Sequence, residues 1–179
     1  HLNNYRVSKY LVTYRQYEAF VQSDGYNKRD HWTESGWDWK RSETQPKAYW
    51  SEPQWHIGNH PVIGVTWYEA YAFCRWLTTQ YHEVGLLPLD WAIRLLTEEE
   101  YERAARGDRG NIYPYGDIGN VALGNYNVTG IGRTSAVGLF PSGASPHDSL
   151  DMSGNVWCWC STKRRTSYTE ARDDSPEGA

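Results

Sequence analysis

The chain has 179 residues and carries 22 acidic against 18 basic side chains, a net charge of −4 at pH 7. A chain of this length is predicted to form one domain that buries about two thirds of its unfolded surface, so its folding requires neither a metal nor a disulfide. The slightly acidic balance, with one short basic run at 163–165, argues against nucleic acid as a partner. No apolar run approaches the ~18 residues of a membrane helix and no signal peptide opens the chain, so no membrane segment is expected.

Aromatic residues are the unusual feature of the composition. The chain holds 10 Trp and 14 Tyr beside 3 Phe and 1 Met. Side chains with an apolar body and a polar tip suit half-buried loops and ligand surfaces. The 16 Gly and 8 Pro supply the backbone conformations that turns require. The composition therefore predicts many ordered loops.

Three segments carry the same signal for the start of a helix. In each, a threonine is followed three residues later by Gln or Glu, the pattern of a capping box in which both side chains satisfy free backbone N–H groups. The three pairs are Thr13 with Gln16, Thr66 with Glu69, and Thr97 with Glu100. The first and third helices are predicted to end at Gly25 and Gly107, because glycine tolerates the left-handed conformation after a helix.

The second of these helices has an apolar stripe that predicts its buried face. The spacing i, i+3, i+4, i+7, i+11 places the stripe on one side of the helix. Its members are Ala70, Phe73, Cys74, Leu77 and Tyr81. Cys74 is accordingly interpreted as a structural thiol in the core.

Four short apolar segments are predicted to be strands: 5–12, 61–65, 93–96 and 135–140. The remainder, including 25–59 and the Gly/Asn-rich stretch 124–135, has no regular pattern. Few short strands and helices with much irregular structure indicate an α+β fold. Loops of this length usually carry function or bind ions.

Four motifs, taken in order, resemble one protein family. They are NHPVIGVTWYEAYAFCRWL at 59–77, IRLLTEEEYERAARG at 93–107, IYPYGD at 112–117, and VGLFPSGASPHDSLDMSGNVWCWCS at 137–161. Together they resemble the formylglycine-generating enzyme (sulfatase-modifying factor) family, and 5–26 is similar to its first strand and helix. The resemblance implies a single domain, 1–179, with a variant of the C-type lectin fold. It also implies that the family's C-terminal segment is lacking after the last residue.

The resemblance allows three classes of function, because one fold hosts several. The first is copper-dependent oxidation of a sulfatase cysteine to formylglycine. The second is iron-dependent C–S bond formation of the ergothioneine-synthase kind, whose histidines come from an additional helical domain that the sequence lacks. The third is non-catalytic ligand binding, as in the variable proteins of diversity-generating retroelements or the sensor domains of bacterial conflict systems.

The three cysteines do not match the catalytic positions of the oxidases. Those enzymes hold Cu(I) with a C-terminal cysteine pair, so no catalytic residue is assigned here and copper is expected only if a further C-terminal part supplies that pair. Cys158 and Cys160 alone are a weak metal signal, because a structural zinc site takes four ligands. They are interpreted as core residues. An odd number of cysteines favours a reducing compartment, so the cytoplasm is expected, with the cell surface or secretion as alternatives.

Two histidines have the spacing of helical zinc ligands. His56 and His60 stand at i and i+4. Gly58 and Pro61 disfavour a helix at this point, and no acidic residue lies between the histidines to act as a base. His60 is therefore assigned to the turn of the Asn-His-Pro-Val motif.

Calcium is the cofactor that the resemblance favours, because its sites in the family use oxygen ligands from loops. One site is implied at the Asn125 side chain and the carbonyl groups of Tyr126 and Ile131. Thr129 replaces an aspartate found in some relatives, which removes a charge and should weaken the site. The alternative is that these loops are tight Gly-Asn turns.

A second calcium site is implied within the motif at 153–156, at Ser153, Gly154, Asn155 and Val156. Cys158 stands where the family has a glutamate, and a neutral thiol is a poor calcium ligand, so this site is the weaker one. Trp157 and Trp159 of the same motif are expected to pack in the core.

The sequence-based hypothesis is a non-catalytic ligand-binding domain of bacterial origin, with a protein or another macromolecule as its partner. Rigid aromatic side chains offer contact area at low entropic cost. Five tryptophans are candidates for ligand contact, with core packing as the alternative for each: Trp32, Trp37, Trp39, Trp50 and Trp55. The rival hypothesis is a copper-dependent oxidase whose catalytic cysteines lie in a C-terminal part outside this sequence.

Overall fold

A computed structural model describes residues 4–176 and contains four α-helices. They are α1 (Tyr14–Gln22), α2 (Glu34–Lys40), α3 (Trp67–Glu83) and α4 (Glu98–Arg106). Four single turns of 3₁₀-helix lie in the connections, at Arg29–His31, Val121–Leu123, Asn127–Thr129 and Pro141–Gly143. Helices α1, α3 and α4 each begin one residue after the threonine that predicts them, so the three helix starts are confirmed.

Helix α3 shows the predicted capping box in full. The Thr66 hydroxyl accepts from the backbone N–H of Glu69, while the Glu69 carboxylate accepts from the backbone N–H of Thr66 at 2.7 Å. The predicted buried stripe needs correction. The buried positions are Trp67, Glu69, Ala72, Phe73 and Trp76, whereas Tyr81 is 39% exposed. The buried face of α3 is thus shifted by about one residue from the predicted face, and it includes the acidic Glu69.

The four predicted strands are wrong as regular strands. Within residues 4–176 the strand-type pairing consists of two isolated antiparallel bridges, Thr13 with Pro61 and Tyr113 with Gly116. The predicted segments, all of which lie in the described part of the chain, make isolated hydrogen bonds and no strand ladders. Leu150 donates to the carbonyl of Lys9 at 2.8 Å, and Ile93 donates to the Thr78 hydroxyl at 2.9 Å. Apolar, β-branched segments favour an extended backbone, but a ladder also needs a second extended segment alongside.

Helix α2 lies inside the stretch for which the sequence predicts no regular structure. Its N-cap is Thr33, whose hydroxyl accepts from the backbone N–H of Gly36 at 2.9 Å. Lys40 ends the helix, and the following Arg41 has φ +52. The helix has seven residues, two of them tryptophans, and is therefore too short for a clear apolar period.

The chain folds into two compact units. Among residues 4–176, the first comprises 4–15, 52–63 and 98–158, and the second comprises 16–51, 64–97 and 159–176. The second unit has an aromatic core in which α1 and α3 contribute most of the rings: Tyr17 stacks on Phe73 at 5.3 Å, and Phe20 lies 5.6 Å from Trp76. Edge-to-face and offset ring contacts of this kind add to the energy of burial.

The first unit has a smaller apolar centre beneath α4. Ala104, Ala105 and Met152 are buried together, with Val7 and Tyr101 packed against them. Tyr101 also donates its hydroxyl to the carbonyl of Met152 at 3.2 Å, which ties α4 to the segment that contains the 153–156 motif. No helix in residues 4–176 has the length and apolarity needed to cross a membrane. The C-type lectin arrangement stays a prediction.

Candidate functional site

The two loops predicted as separate calcium sites meet in the first unit. The backbone N–H of Asn155 donates to the carbonyl of Asn125 at 2.8 Å, and the Asn125 amide donates to the carbonyl of Arg133 at 2.8 Å. A weaker contact of 3.5 Å joins the two asparagine side chains. We call this arrangement of Asn125, Asn155 and their partners the asparagine junction.

Asn155 also holds a third segment, 135–140, at the asparagine junction. Its Oδ1 accepts from the backbone N–H of Ser135 at 3.0 Å, while its Nδ2 donates to the carbonyl of the same residue at 3.2 Å. Nδ2 also donates to Asp151 Oδ1 at 3.3 Å, and Asp151 Oδ2 accepts from the backbone N–H of Gly138 at 2.7 Å. The Asn155 amide therefore bonds both backbone groups of Ser135, as a neighbouring strand would.

The backbone at residues 154 and 155 requires its own residue types. Gly154 has φ +89, and a Cβ atom there would lie 2.7 Å from the carbonyl oxygen of Asn125. Asn155 has φ +61, a left-handed conformation that Asn tolerates better than most residues. The Gly-Asn pair therefore allows the close approach of the two loops.

A chain of hydroxyl groups extends from the asparagine junction toward the surface. The Tyr126 hydroxyl donates to Ser153 Oγ at 3.2 Å and lies 3.1 Å from the Tyr115 hydroxyl. The Tyr115 ring stacks on Tyr113 at 5.5 Å, with 3° between the ring planes. Burial raises the pKa of Tyr126 to about 12, so this hydroxyl remains protonated at neutral pH. The chain therefore acts as a set of neutral hydrogen-bonding groups.

The asparagine junction does not fit a calcium cage as it stands. The carbonyl of Tyr126 accepts from the Thr129 hydroxyl at 2.6 Å, and the carbonyl of Gly154 accepts from the N–H of Val156 at 2.9 Å. Asn155 Oδ1 already accepts from Ser135. Ile131 is an exposed residue of the first loop. Calcium prefers six to eight oxygen ligands, and here three of the expected oxygens are directed at N–H and O–H donors.

The cysteines are present as free thiols. Burial raises the pKa of Cys74 to about 12 and also raises the pKa of Cys158, where the nearby Asp151 adds to the effect. A thiolate is the form that binds metal or attacks a substrate, so a raised pKa makes both thiols unreactive at neutral pH. Within residues 4–176, no group of three or more His, Cys, Asp or Glu side chains is placed to hold a metal ion.

The two spaced histidines do not lie on one helix face. His56 stacks on Tyr14 with ring centroids 4.6 Å apart, whereas His60 Nδ1 lies 2.9 Å from the Thr134 hydroxyl. Burial, with a further effect from Arg133, lowers the pKa of His60. The carbonyl of His60 accepts from the N–H of Tyr14 beside the Thr13–Pro61 bridge. This placement agrees with the assignment of His60 to a turn.

The candidate tryptophans differ in exposure, and two need correction. Trp32 and Trp50 are 3% and 9% exposed and belong to the aromatic core of the second unit, because their rings pack against Tyr26 and Tyr17. Trp37 and Trp55 are half-buried, and Trp39 is 41% exposed. The reverse correction applies to the C-terminal pair: Trp157 is fully exposed, and Trp159 is 51% exposed.

A buried lysine in the second unit was not predicted from the sequence. Lys40 is 2% exposed, and its Nζ lies 4.4 Å from the centre of the Trp37 ring and 5.9 Å from that of Trp32. It donates to the carbonyl groups of Arg41 and Glu43, both at 3.3 Å. Burial lowers its pKa, and Glu43 opposes this effect. Trp32 and Trp37, which lie near Lys40 in the sequence, were the signal from which its burial could have been predicted, since ammonium groups favour aromatic faces.

A comparison with protein families matches residues 1–176 to the FGE-sulfatase family, the sulfatase-modifying factor enzyme 1-like domain. The chain belongs to this family. The four motifs, together with the helix starts of α1, α3 and α4, lie inside the matched range.

Named relatives include two kinds of enzyme. Hercynine oxygenase of Mycolicibacterium thermoresistibile is 30% identical over an alignment of 177 positions, which covers 90% of this chain and 36% of that protein. Formylglycine-generating enzyme of Thermomonospora curvata is 28% identical over an alignment of 199 positions, which covers 89% of this chain and 60% of that protein. A third relative, inactive C-alpha-formylglycine-generating enzyme 2 of Mus musculus, is 31% identical over an alignment of 131 positions, which covers 64% of this chain and 38% of that protein.

The chain spans less than two thirds of the length of each of these relatives. The names of the first two point to enzymes, and they do not support the hypothesis of a non-catalytic domain. Since the third is named inactive, membership of the family by itself leaves the activity of this chain to be proposed.

Proposed function

We propose that this chain is the sulfatase-modifying-factor domain of an oxidoreductase that acts on a thiol-containing substrate. The observation that carries the proposal is its similarity, over 90% of its length, to a relative named hercynine oxygenase, together with that to a formylglycine-generating enzyme. In this proposal the described residues supply the scaffold and the surface that orients the substrate. The asparagine junction keeps three loops in fixed positions for that purpose.

The proposal assigns no redox step to the three cysteines of this chain. Cys74 and Cys158 are half-buried, and the partial loss of solvent raises the pKa of both thiols, so they remain protonated at neutral pH. Copper chemistry of the oxidase class, which needs a pair of thiolates, would therefore use groups other than these.

The test uses two substrate classes with the purified full-length protein that contains this domain, under air. One reaction contains a peptide with the sulfatase cysteine and Cu(I), and the other contains hercynine, a thiol and Fe(II). Mass spectrometry would detect conversion of the cysteine CH₂–SH group to an aldehyde in the first, or a new C–S bond in the second. The proposal predicts turnover in one of them that persists in Cys74→Ala and Cys158→Ala. No turnover with either substrate contradicts it.

A second candidate function is ligand binding without catalysis, which the fully exposed Trp157 favours. An indole free of protein contacts offers a large area to a macromolecular partner. A screen of binding partners with Trp157→Ala, and with Tyr168→Ala as an exposed control, would test this candidate. Binding that is lost only in Trp157→Ala, in a protein that shows no turnover, would favour it over the oxidoreductase.

A further inference from the structure

The connection that follows α3 exposes an unusual amount of apolar surface. We call residues 84–91 the 84–91 loop. Within these eight positions, Val84 is 67% exposed, Leu86 70%, Leu89 84% and Trp91 38%. Single exposed apolar residues are ordinary, but a cluster of this size in one short loop marks an interaction surface.

The 84–91 loop is fixed to the helix that precedes it. His82 Nε2 lies 3.2 Å from the carbonyl oxygen of Pro88 and 2.9 Å from that of Trp91. Because both carbonyl groups only accept hydrogen bonds, Nε2 carries the proton and donates. At the two ends, the N–H of Leu86 donates to the carbonyl of Tyr81, and the N–H of Ile93 donates to the Thr78 hydroxyl, each at 2.9 Å. The apolar side chains are thus presented in a preformed arrangement.

The exposed area is large enough for one side of a weak dimer. Its side chains, with Tyr81 on the last turn of α3, expose an apolar area of about 500 Å², and a standard interface buries about 800 Å² per partner. The loop would therefore supply the centre of such an interface, with neighbouring polar residues as its rim.

The charges around the loop favour a second copy of the chain over a lipid surface. Glu83, Asp90 and Arg94 are exposed beside the apolar side chains, and 81–94 contains no lysine. Peripheral attachment to anionic lipid normally needs a cluster of Lys and Arg. A two-fold interface instead needs a self-complementary patch, in which Asp90 of one copy can face Arg94 of the other.

We propose that the 84–91 loop is a homodimer interface, at which it packs against the same loop of a second copy of this chain. The proposal is independent of the enzymatic function above. It rests on the exposed side chains, on their fixed presentation and on the mixed charges of the rim.

Sedimentation velocity over a range of about 1–100 µM tests the proposal, because a modest interface gives micromolar affinity. The expected result is a monomer–dimer equilibrium that Leu89→Asp shifts to monomer. Ile118→Asp is the matched control, since Ile118 is also 84% exposed and lies outside the loop. Circular dichroism would verify that both variants remain folded.

A charge exchange sharpens the test of orientation. Asp90→Arg and Arg94→Asp should each weaken the dimer, and the double variant should recover it. The proposal is overturned if the protein is monomeric over the whole range, or if Leu89→Asp leaves a dimer intact. Binding of a monomeric protein to vesicles or to another protein through the same loop would also overturn it.

Discussion

Tyr26 donates its hydroxyl to Glu69 Oε1 at 2.7 Å, with both residues buried. Glu69 Oε2 accepts from the backbone N–H and the hydroxyl of Thr66, and the Tyr17 hydroxyl lies 3.1 Å from that of Tyr26. Burial raises the pKa of Tyr26 and of Tyr17, which keeps both as neutral donors. The carboxylate therefore serves at once as the cap of α3 and as the polar centre of an aromatic core.

Glu69→Gln should destabilise the protein by about 1–2 kcal/mol, because an amide has a single oxygen: if that oxygen keeps the N–H of Thr66, the N–H₂ group faces the Tyr26 hydroxyl, which loses its buried acceptor. Urea unfolding followed by tryptophan fluorescence would measure the change. Glu83→Gln, at the exposed end of the same helix, is the control and should change stability by less than about 0.5 kcal/mol. Equal effects of the two substitutions would contradict a structural role for the buried carboxylate.

Asn155→Ala should cost about 2–4 kcal/mol, because Ser135 loses its N–H acceptor and alanine is strained at a left-handed position. Asn155→Gly should cost less, since glycine removes the strain and keeps only the loss of hydrogen bonds. The midpoint of urea unfolding gives both values. Asn127→Ala, at an exposed position of the neighbouring turn, serves as the control, and an effect there as large as at position 155 would refute the argument.

Gly154→Ala should be more destabilising than Gly130→Ala. Both glycines have positive φ, so the conformational penalty is similar, but a Cβ at position 130 meets nothing within 4 Å. At position 154 it would approach the Asn125 carbonyl to 2.7 Å. The difference between the two melting temperatures therefore reports the close approach of the loops, and no difference would mean that the loops readily move apart.

Calcium should not stabilise the protein, because the Tyr126 carbonyl and Asn155 Oδ1, two of the expected ligands at the asparagine junction, already accept hydrogen bonds. Melting curves in millimolar CaCl₂ and in EGTA should agree within about 1 °C, since a ligand stabilises only in proportion to its binding to the folded state. A larger rise in calcium that Asn125→Ala abolishes would show that the loops rearrange to form the site predicted from the sequence.

The thiol of Cys74 should make stability fall with rising pH above the ordinary thiol value. Its folded pKa is raised to about 12, so between an unfolded value of about 8.5 and that value only the unfolded state loses the proton. This contribution is fully present below pH ~8.5 and is lost toward pH 12. Urea unfolding at several alkaline pH values should give a shallower decline for Cys74→Ala than for the unchanged protein. Parallel declines would mean that the thiol titrates normally.

The helix starts were predictable because a capping box is a local signal. The buried face of α3 was not, because an apolar period locates only the apolar residues that point inward. Glu69 occupies an inner position since Tyr26 and Thr66 satisfy its carboxylate, and Tyr26 is distant in sequence. A hydrogen bond between residues distant in sequence cannot be recognised from the spacing of apolar residues.

The site was predictable in part. The resemblance singled out Asn125 and Asn155 but placed them in two separate sites, whereas the structure joins them. The strand predictions were wrong because they rested on residue type alone. A ladder also depends on which segments lie side by side, and residue type does not show this. Lys40 was missed because lysine is seldom buried, and its burial depends on two neighbouring rings and two backbone carbonyl groups that accept its hydrogen bonds.

The asparagine junction also bears on how this protein tolerates change. A bond between two backbone groups survives almost any substitution, since every residue except proline carries both groups. Here Asn155 fixes the backbone of Ser135 through a side chain, and Gly154 permits the approach that makes the contact possible. The shape of the three loops therefore depends on very few side chains, chiefly Asn155 and the absence of one at Gly154. Substitutions at exposed positions between them, such as Val128 and Ile131, are therefore expected to leave this shape unchanged.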